Sequence, residues 1–195
     1  MATRTAILGW GSLLWEEGEE FDHWHKPWKE GGPSLNLEFS RASKKRLGAL
    51  TLVIDAANGS PVQVAWCLST RRNPDDAIAD LRCREGTTLA NIGRYFLATN
   101  AYQSTDKESS DAIAAWGKRN NIDVIVWTDL KSNFEEIVKQ PYSVAAALTY
   151  IKTLPPEGKA MAAEYVWRAP EFVQTPLRAA LQSEPWFSPP DAIQS

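Results

Sequence analysis

Leu35, Leu37 and Phe39 alternate with Asn36, Glu38 and Ser40. Side chains change face at every residue of a strand, so this pattern specifies an extended segment with one apolar face. It recurs in Leu50, Leu52 and Ile54, and again in Val62, Val64, Trp66 and Leu68 after the turn sequence Asn58-Gly59-Ser60-Pro61. The Asn-Gly pair predicts a hairpin around Asn58-Gly59. Residues 5 to 9 and the β-branched run Val124-Ile125-Val126-Trp127 supply two further strands, the second buried on both faces.

Helix signals are sharpest after the third alternating segment. Asn73 can cap, Pro74 suits a first helical position, and Asp75 and Asp76 complement the positive end of the dipole. The helix over 74–84 buries Ile78 and Leu81, and Gly86 supplies its stop. Leu89, Ile92 and Phe96 predict another helix, as do Ile113 and Trp116 over 107–120. From Ser132 onward the chain reads as helical, with Glu135 completing a capping box, Val144, Leu148 and Ile151 on one stripe, and Met161 and Tyr165 on the next.

Strands therefore gather in the first 130 residues and helices in the last 65, an α+β rather than a βαβ arrangement. Five strands could close into a small mixed β-barrel or a strongly curled sheet. The expected division is a domain over 1–130 and a helical C-terminal extension over 131–195 packed on it. Residues 16–34 form a long Gly- and Pro-containing loop, a length that points to a functional or lid-like segment.

A formal net charge of −3 lacks the basic excess that neutralises a phosphate backbone, so no nucleic-acid partner is expected. No apolar run reaches the roughly eighteen residues of a membrane span, and no membrane association is expected. Arg4 and the apolar residues after it could open a secretory leader, but Glu16-Glu17-Gly18-Glu19-Glu20 stands where small cleavage-site residues belong. A cytoplasmic location with Cys67 and Cys83 reduced and partly buried follows.

Few residues offer chemistry. His23 and His25 flank Trp24, but no Cys or further His completes a zinc set. No G-x-S-x-G elbow occurs. Gly9 and Gly11 follow the first strand, yet the third glycine of a dinucleotide fingerprint is missing at Leu14. Glu85 is placed differently: a carboxylate in the last turn of the first helix meets the negative end of the dipole, which favours a proton-exchanging group near neutrality. The competing reading is a solvated glutamate paired with Arg82 or Arg84.

The ordered set Ile7-Leu8-Gly9-Trp10-Gly11-Ser12-Leu13-Leu14-Trp15, the segment 48–69 and Leu81-Arg82-Cys83-Arg84-Glu85-Gly86 resembles the γ-glutamylcyclotransferase superfamily, especially its ChaC-like branch. The match runs in order over roughly residues 5 to 90. Trp10 stands where those proteins carry tyrosine, Arg82 where they carry aspartate, and Gly86-Thr87-Thr88 replaces a glycine-tyrosine stretch. The resemblance implies a fold of that type and a cofactor-independent, metal-free enzyme. It implies that Gly9, Trp10, Gly11, Ser12 and Leu13 hold a γ-glutamyl substrate through main-chain N–H groups. Glu85 would act as general acid and base in closing the substrate to 5-oxoproline. The alternative expectation is a non-catalytic module that binds an acidic amino acid, a γ-glutamyl compound or a peptide end.

Overall fold

Strands form at every segment where the apolar pattern predicts one, and also inside a stretch predicted to be helical. The computed structural model describes residues 3–18 and 20–190. Among them are eight strands: β1 (Thr5–Gly9), β2 (Ser34–Ala42), β3 (Leu50–Ile54), β4 (Ser60–Gln63), β5 (Ala65–Leu68), β6 (Ile92–Phe96), β7 (Ala101–Gln103) and β8 (Val124–Thr128). Six α-helices accompany them: α1 (Pro74–Glu85), α2 (Lys107–Arg119), α3 (Phe134–Val138), α4 (Val144–Thr153), α5 (Pro156–Arg168) and α6 (Pro176–Gln182). The protein is thus mixed α+β. No closed barrel is found among the described residues: one sheet runs β5-β1-β8-β6-β7 and the other β3-β2-β4, each with two edges. No described helix is long and apolar enough to cross a membrane.

Three expectations are corrected. Ile92 and Phe96 lie on β6 rather than a helix, paired antiparallel with β8 from Ile92↔Thr128 to Phe96↔Val124. Their four-residue spacing fits one face of a helix or of a strand equally, and Leu89, which would have decided for the helix, is 51% exposed. The Asn58-Gly59 turn does not close a hairpin, because β2 lies between β3 and β4. It is instead a local turn built on Asp55, whose carboxylate accepts from the Asn58 N–H at 3.0 Å and whose carbonyl accepts from the Gly59 N–H at 2.7 Å. Finally, Asn133 rather than Ser132 precedes α3; the Ser132 hydroxyl donates to the Ser40 carbonyl at 2.8 Å and lies 3.4 Å from the Phe134 nitrogen, not that of Glu135, so the expected capping box is not the one formed.

The chain divides into two compact units, one containing the chain to Leu35 and Gln63–Leu130, the other Asn36–Val62 and the chain from Lys131. In the first, β1 pairs parallel to β8 and antiparallel to β5, while β6 joins β8 and β7 antiparallel. Ile7, Leu13, Phe21, Cys67, Ile78, Leu81, Ile92, Val124 and Val126 form one buried cluster. Each such aliphatic or aromatic side chain contributes about 1.5–3 kcal/mol by leaving water. Cys67 is fully buried, its thiol pushed up by burial, whereas Cys83, expected to be partly buried, is exposed on α1; both are free thiols.

The loop over 16–34 has more structure than its composition predicts. Phe21–Trp24 forms a 3-10 turn, and the following segment lies along β5. The N–H groups of Lys26, Lys29 and Gly32 donate to the carbonyls of Leu68, Trp66 and Val64 at 2.8, 2.8 and 2.9 Å. It covers an edge that would otherwise offer unpaired backbone groups.

In the second unit, Phe39 of β2 and Tyr165 on α5 pack in a T shape, ring centroids 6.1 Å apart, and the Tyr150 hydroxyl donates to the Gly48 carbonyl at 2.9 Å. Glu38 is fully buried. Its Oε1 accepts from the Thr175 hydroxyl and from the Phe39 N–H, each at 2.7 Å, and its Oε2 lies 3.4 Å from the Leu177 N–H in the first turn of α6. Burial raises its carboxyl above the ordinary 4.5, against the lowering effect of these hydrogen bonds. Stability tied to the protonated form is complete below 4.5 and is lost as pH rises through the raised value. Wild-type protein is therefore expected to lose stability relative to Glu38→Gln as pH climbs above 4.5 and through the raised value. Denaturant midpoints of the two proteins as a function of pH check it; a pH-independent offset would refute the burial account.

Candidate functional site

α1 is built as its sequence dictates. The Asn73 side chain accepts from the Asp75 N–H at 3.1 Å, and Pro74 opens the first turn. At the other end Gly86 adopts the left-handed conformation, φ 59°, its N–H donating to Cys83 at 3.0 Å while the Thr87 N–H reaches Arg82 at 3.2 Å. This pair of bonds ends the helix at Glu85. Ile78 and Leu81 are buried, and Glu85, four residues after Leu81, continues the same face to the rim, where it is half-buried.

The chain leaves β1 at Gly9. A Cβ there would fall 2.9 Å from two ring carbons of Trp28 and 3.0 Å from Leu14 Cδ2, so the close approach that demands glycine is to the protein's own indole. Trp10, Gly11 and Leu13 are buried and Ser12 is half-buried. Ser12–Leu14 is a 3-10 turn in which the Leu14 N–H donates to the Gly11 carbonyl at 2.9 Å and the Glu16 N–H to Ser12 at 2.8 Å. The turn's own bonds begin at Leu14, so those bonds leave the N–H groups of Ser12 and Leu13 unused.

Helix end and turn lie at the same end of the sheet. Pro74, at the start of α1, borders a concavity with Arg4, Asp123 and Val124, at the openings of β1 and β8. The far end of α1 meets the 3-10 turn Leu89–Asn91, which feeds Ile92 beside Thr128, the last residue of β8. Helix and parallel strand pair run the same way, and Glu85 comes level with the residues that follow Gly9. Arg84 makes the connection direct. Its Nη2 donates to the Glu16 carbonyl at 2.8 Å and lies 3.5 Å from the Ser12 carbonyl, with the Glu16 carboxylate at 3.8 Å. Arg84 was visible in sequence only as a possible partner of Glu85; its extension across to residues 12–16 has no local signature.

Replacing Arg84 by methionine is expected to loosen this turn while α1 persists. Loss of a charge-assisted hydrogen bond should speed amide exchange at Leu14, Trp15 and Glu16 on the order of 10- to 100-fold. Exchange rates at those three amides, with Ile78 and Leu81 as unaffected controls, decide it.

Other groups gather at the same end. Asp129 follows β8 directly, and a carboxylate after a parallel strand is a signal the sequence did offer. Its carboxylate is occupied by the Thr105 N–H at 2.6 Å and the Trp127 Nε1–H at 3.2 Å. Asn91 donates to the Thr87 hydroxyl at 2.9 Å. Away from that end, with its backbone bridged to Ser69 beside Thr5 at the opening of β1, His25 packs between Phe21 and Trp28, centroids 4.8 and 5.3 Å away, with Nδ1 2.7 Å from the Lys26 carbonyl oxygen. No group of three or more His, Cys, Asp or Glu side chains suited to a metal ion occurs among the described residues.

Comparison with family models, with curated proteins and with solved structures returned no match to this chain.

Proposed function

We propose that the protein is a cytoplasmic γ-glutamylcyclotransferase-like enzyme, with residues 1–130 as its catalytic domain and Glu85 as general acid and base. The observation that supports this reading is the Arg84 tie between the last turn of α1 and residues 12–16, made one residue before the half-buried Glu85.

In the proposed reaction the main-chain donors around Gly9, Trp10, Gly11, Ser12 and Leu13 receive the α-carboxylate and γ-carbonyl oxygen of a γ-glutamyl amide. Glu85 takes a proton from the α-ammonium. The freed amine attacks the γ-carbonyl carbon, a five-membered ring closes, and negative charge builds on the carbonyl oxygen facing the N–H groups. Collapse breaks the bond to the departing nitrogen, which receives the proton from Glu85, while the ring nitrogen releases its second proton to water and becomes the lactam N–H. 5-oxoproline and a free amine leave, and Glu85 is again ionised. Holding the amine against its own carbonyl removes much of the entropic barrier.

The test is release of 5-oxoproline from γ-glutamyl-amino acids, γ-glutamylamines and glutathione. Turnover of one class is expected. Ligand-induced stabilisation without release from any of them would overturn the catalytic reading in favour of a binding module.

A further inference from the structure

The opposite end of α1 borders a concavity of about 630 Å³. That volume is within the range of small-molecule sites. Pro74, Phe96 and Val124 give it apolar surface, and Arg4 and Asp123 bring one charge of each sign. Arg4 is fixed through its backbone, and Asp123 through its backbone and one carboxylate oxygen. The Arg4 N–H donates to Asp123 Oδ2 at 2.7 Å, the Asp123 N–H to the Arg4 carbonyl at 2.9 Å, and the Leu97 N–H to the Asp123 carbonyl at 2.9 Å. No ion pair to the Arg4 guanidinium occurs among the described residues. The Arg4 guanidinium and the Oδ1 side of the Asp123 carboxylate, whose Oδ2 accepts the Arg4 N–H, thus bring opposite charges to one apolar-sided cleft.

We propose that this cleft binds a free α-amino acid with an apolar side chain, its carboxylate on Arg4, its ammonium on Asp123 and its side chain against Phe96, Val124 and Pro74. A simple carboxylate would meet repulsion from Asp123, and a simple amine repulsion from Arg4; only a ligand carrying both charges satisfies both. The positive end of α1 adds little for an anion, because Asp75 and Asp76 offset it. The site stands apart from Glu85 by the twelve residues of α1, about 18 Å along the axis. It does not depend on the proposed reaction.

Titration calorimetry with L-phenylalanine, N-acetyl-L-phenylalanine and L-phenylalaninamide tests the proposal on the unaltered protein. L-phenylalanine is expected to bind, and each blocked compound, lacking one charge, to bind about 10- to 100-fold more weakly. Arg4→Gln and Asp123→Asn leave the backbone ladder in place, the asparagine oxygen still accepting the Arg4 N–H. Each should weaken L-phenylalanine by a similar factor, while Glu85→Gln should not. No binding of L-phenylalanine, equal binding of all three compounds, or a loss that follows Glu85 instead of Arg4 and Asp123 would overturn it.

Discussion

Glu85→Gln is expected to lower 5-oxoproline release by about 10²- to 10⁴-fold, the range over which a positioned acid and base contributes. Glutamine matches the volume and hydrogen-bonding reach of glutamate but neither accepts the ammonium proton nor returns one. Its helix propensity is close to that of glutamate, and the stop at Gly86 depends on main-chain bonds to Arg82 and Cys83. The unfolding midpoint should therefore stay put, and the loss should appear in kcat, since the proton moves only on the way through the transition state. A variant that keeps wild-type turnover would remove Glu85 from the chemistry and with it the proposed mechanism. One that loses turnover together with its folded structure would be replaced by Glu85→Asp, which retains the carboxylate and withdraws it by one methylene.

What made Glu85 a candidate was legible because it is local. The cap at Asn73, the proline behind it and the left-handed glycine at 86 all act within a few residues, and the structure reproduces them as read. β1, α2 and β8 were legible for the same reason. Failures occur where a distant partner decides. Phe96 and Ile92 satisfy either periodicity, and pairing with β8 selects the strand. Asn58-Gly59 is a sound turn signal, but a turn does not say which strand lies beside which, and β2 takes the place between β3 and β4. Alternation assigns Glu38 to a polar face, yet it is buried because Thr175 and Leu177, more than a hundred residues onward, meet its carboxylate. In the candidate site, the residue types were readable and their connection was not: the reach of Arg84 to Glu16 is a contact across 68 positions of chain.

The largest stability effect is expected at the pair Gly93 and Trp127, which face each other across β6 and β8. A Cβ added at Gly93 would overlap Cε2, Nε1 and Cζ2 of the Trp127 indole. That ring is fully buried and cannot swing aside without giving up its Nε1–H bond to Asp129 at 3.2 Å. Gly93→Ala should accordingly cost at least the roughly 1–3 kcal/mol of ordinary overpacking. Trp127→Ala, which empties the largest fully buried side chain, should cost about 3–5 kcal/mol. The two should not add. With the indole gone the alanine at 93 meets no obstacle and fills part of the void, so the double variant should be more stable than the sum predicts by about 0.5–3 kcal/mol. Denaturant unfolding of the four proteins measures that coupling, and strict additivity would mean that the strand pair accommodates a side chain at 93 by moving apart. Such movement would reach the candidate site as well, because the Trp127 indole holds Asp129, whose N–H in turn donates to Asn91 at 2.8 Å beside the end of α1. If the proposed site is the active one, replacement of Gly93 should therefore also weaken turnover at temperatures where the protein is still folded.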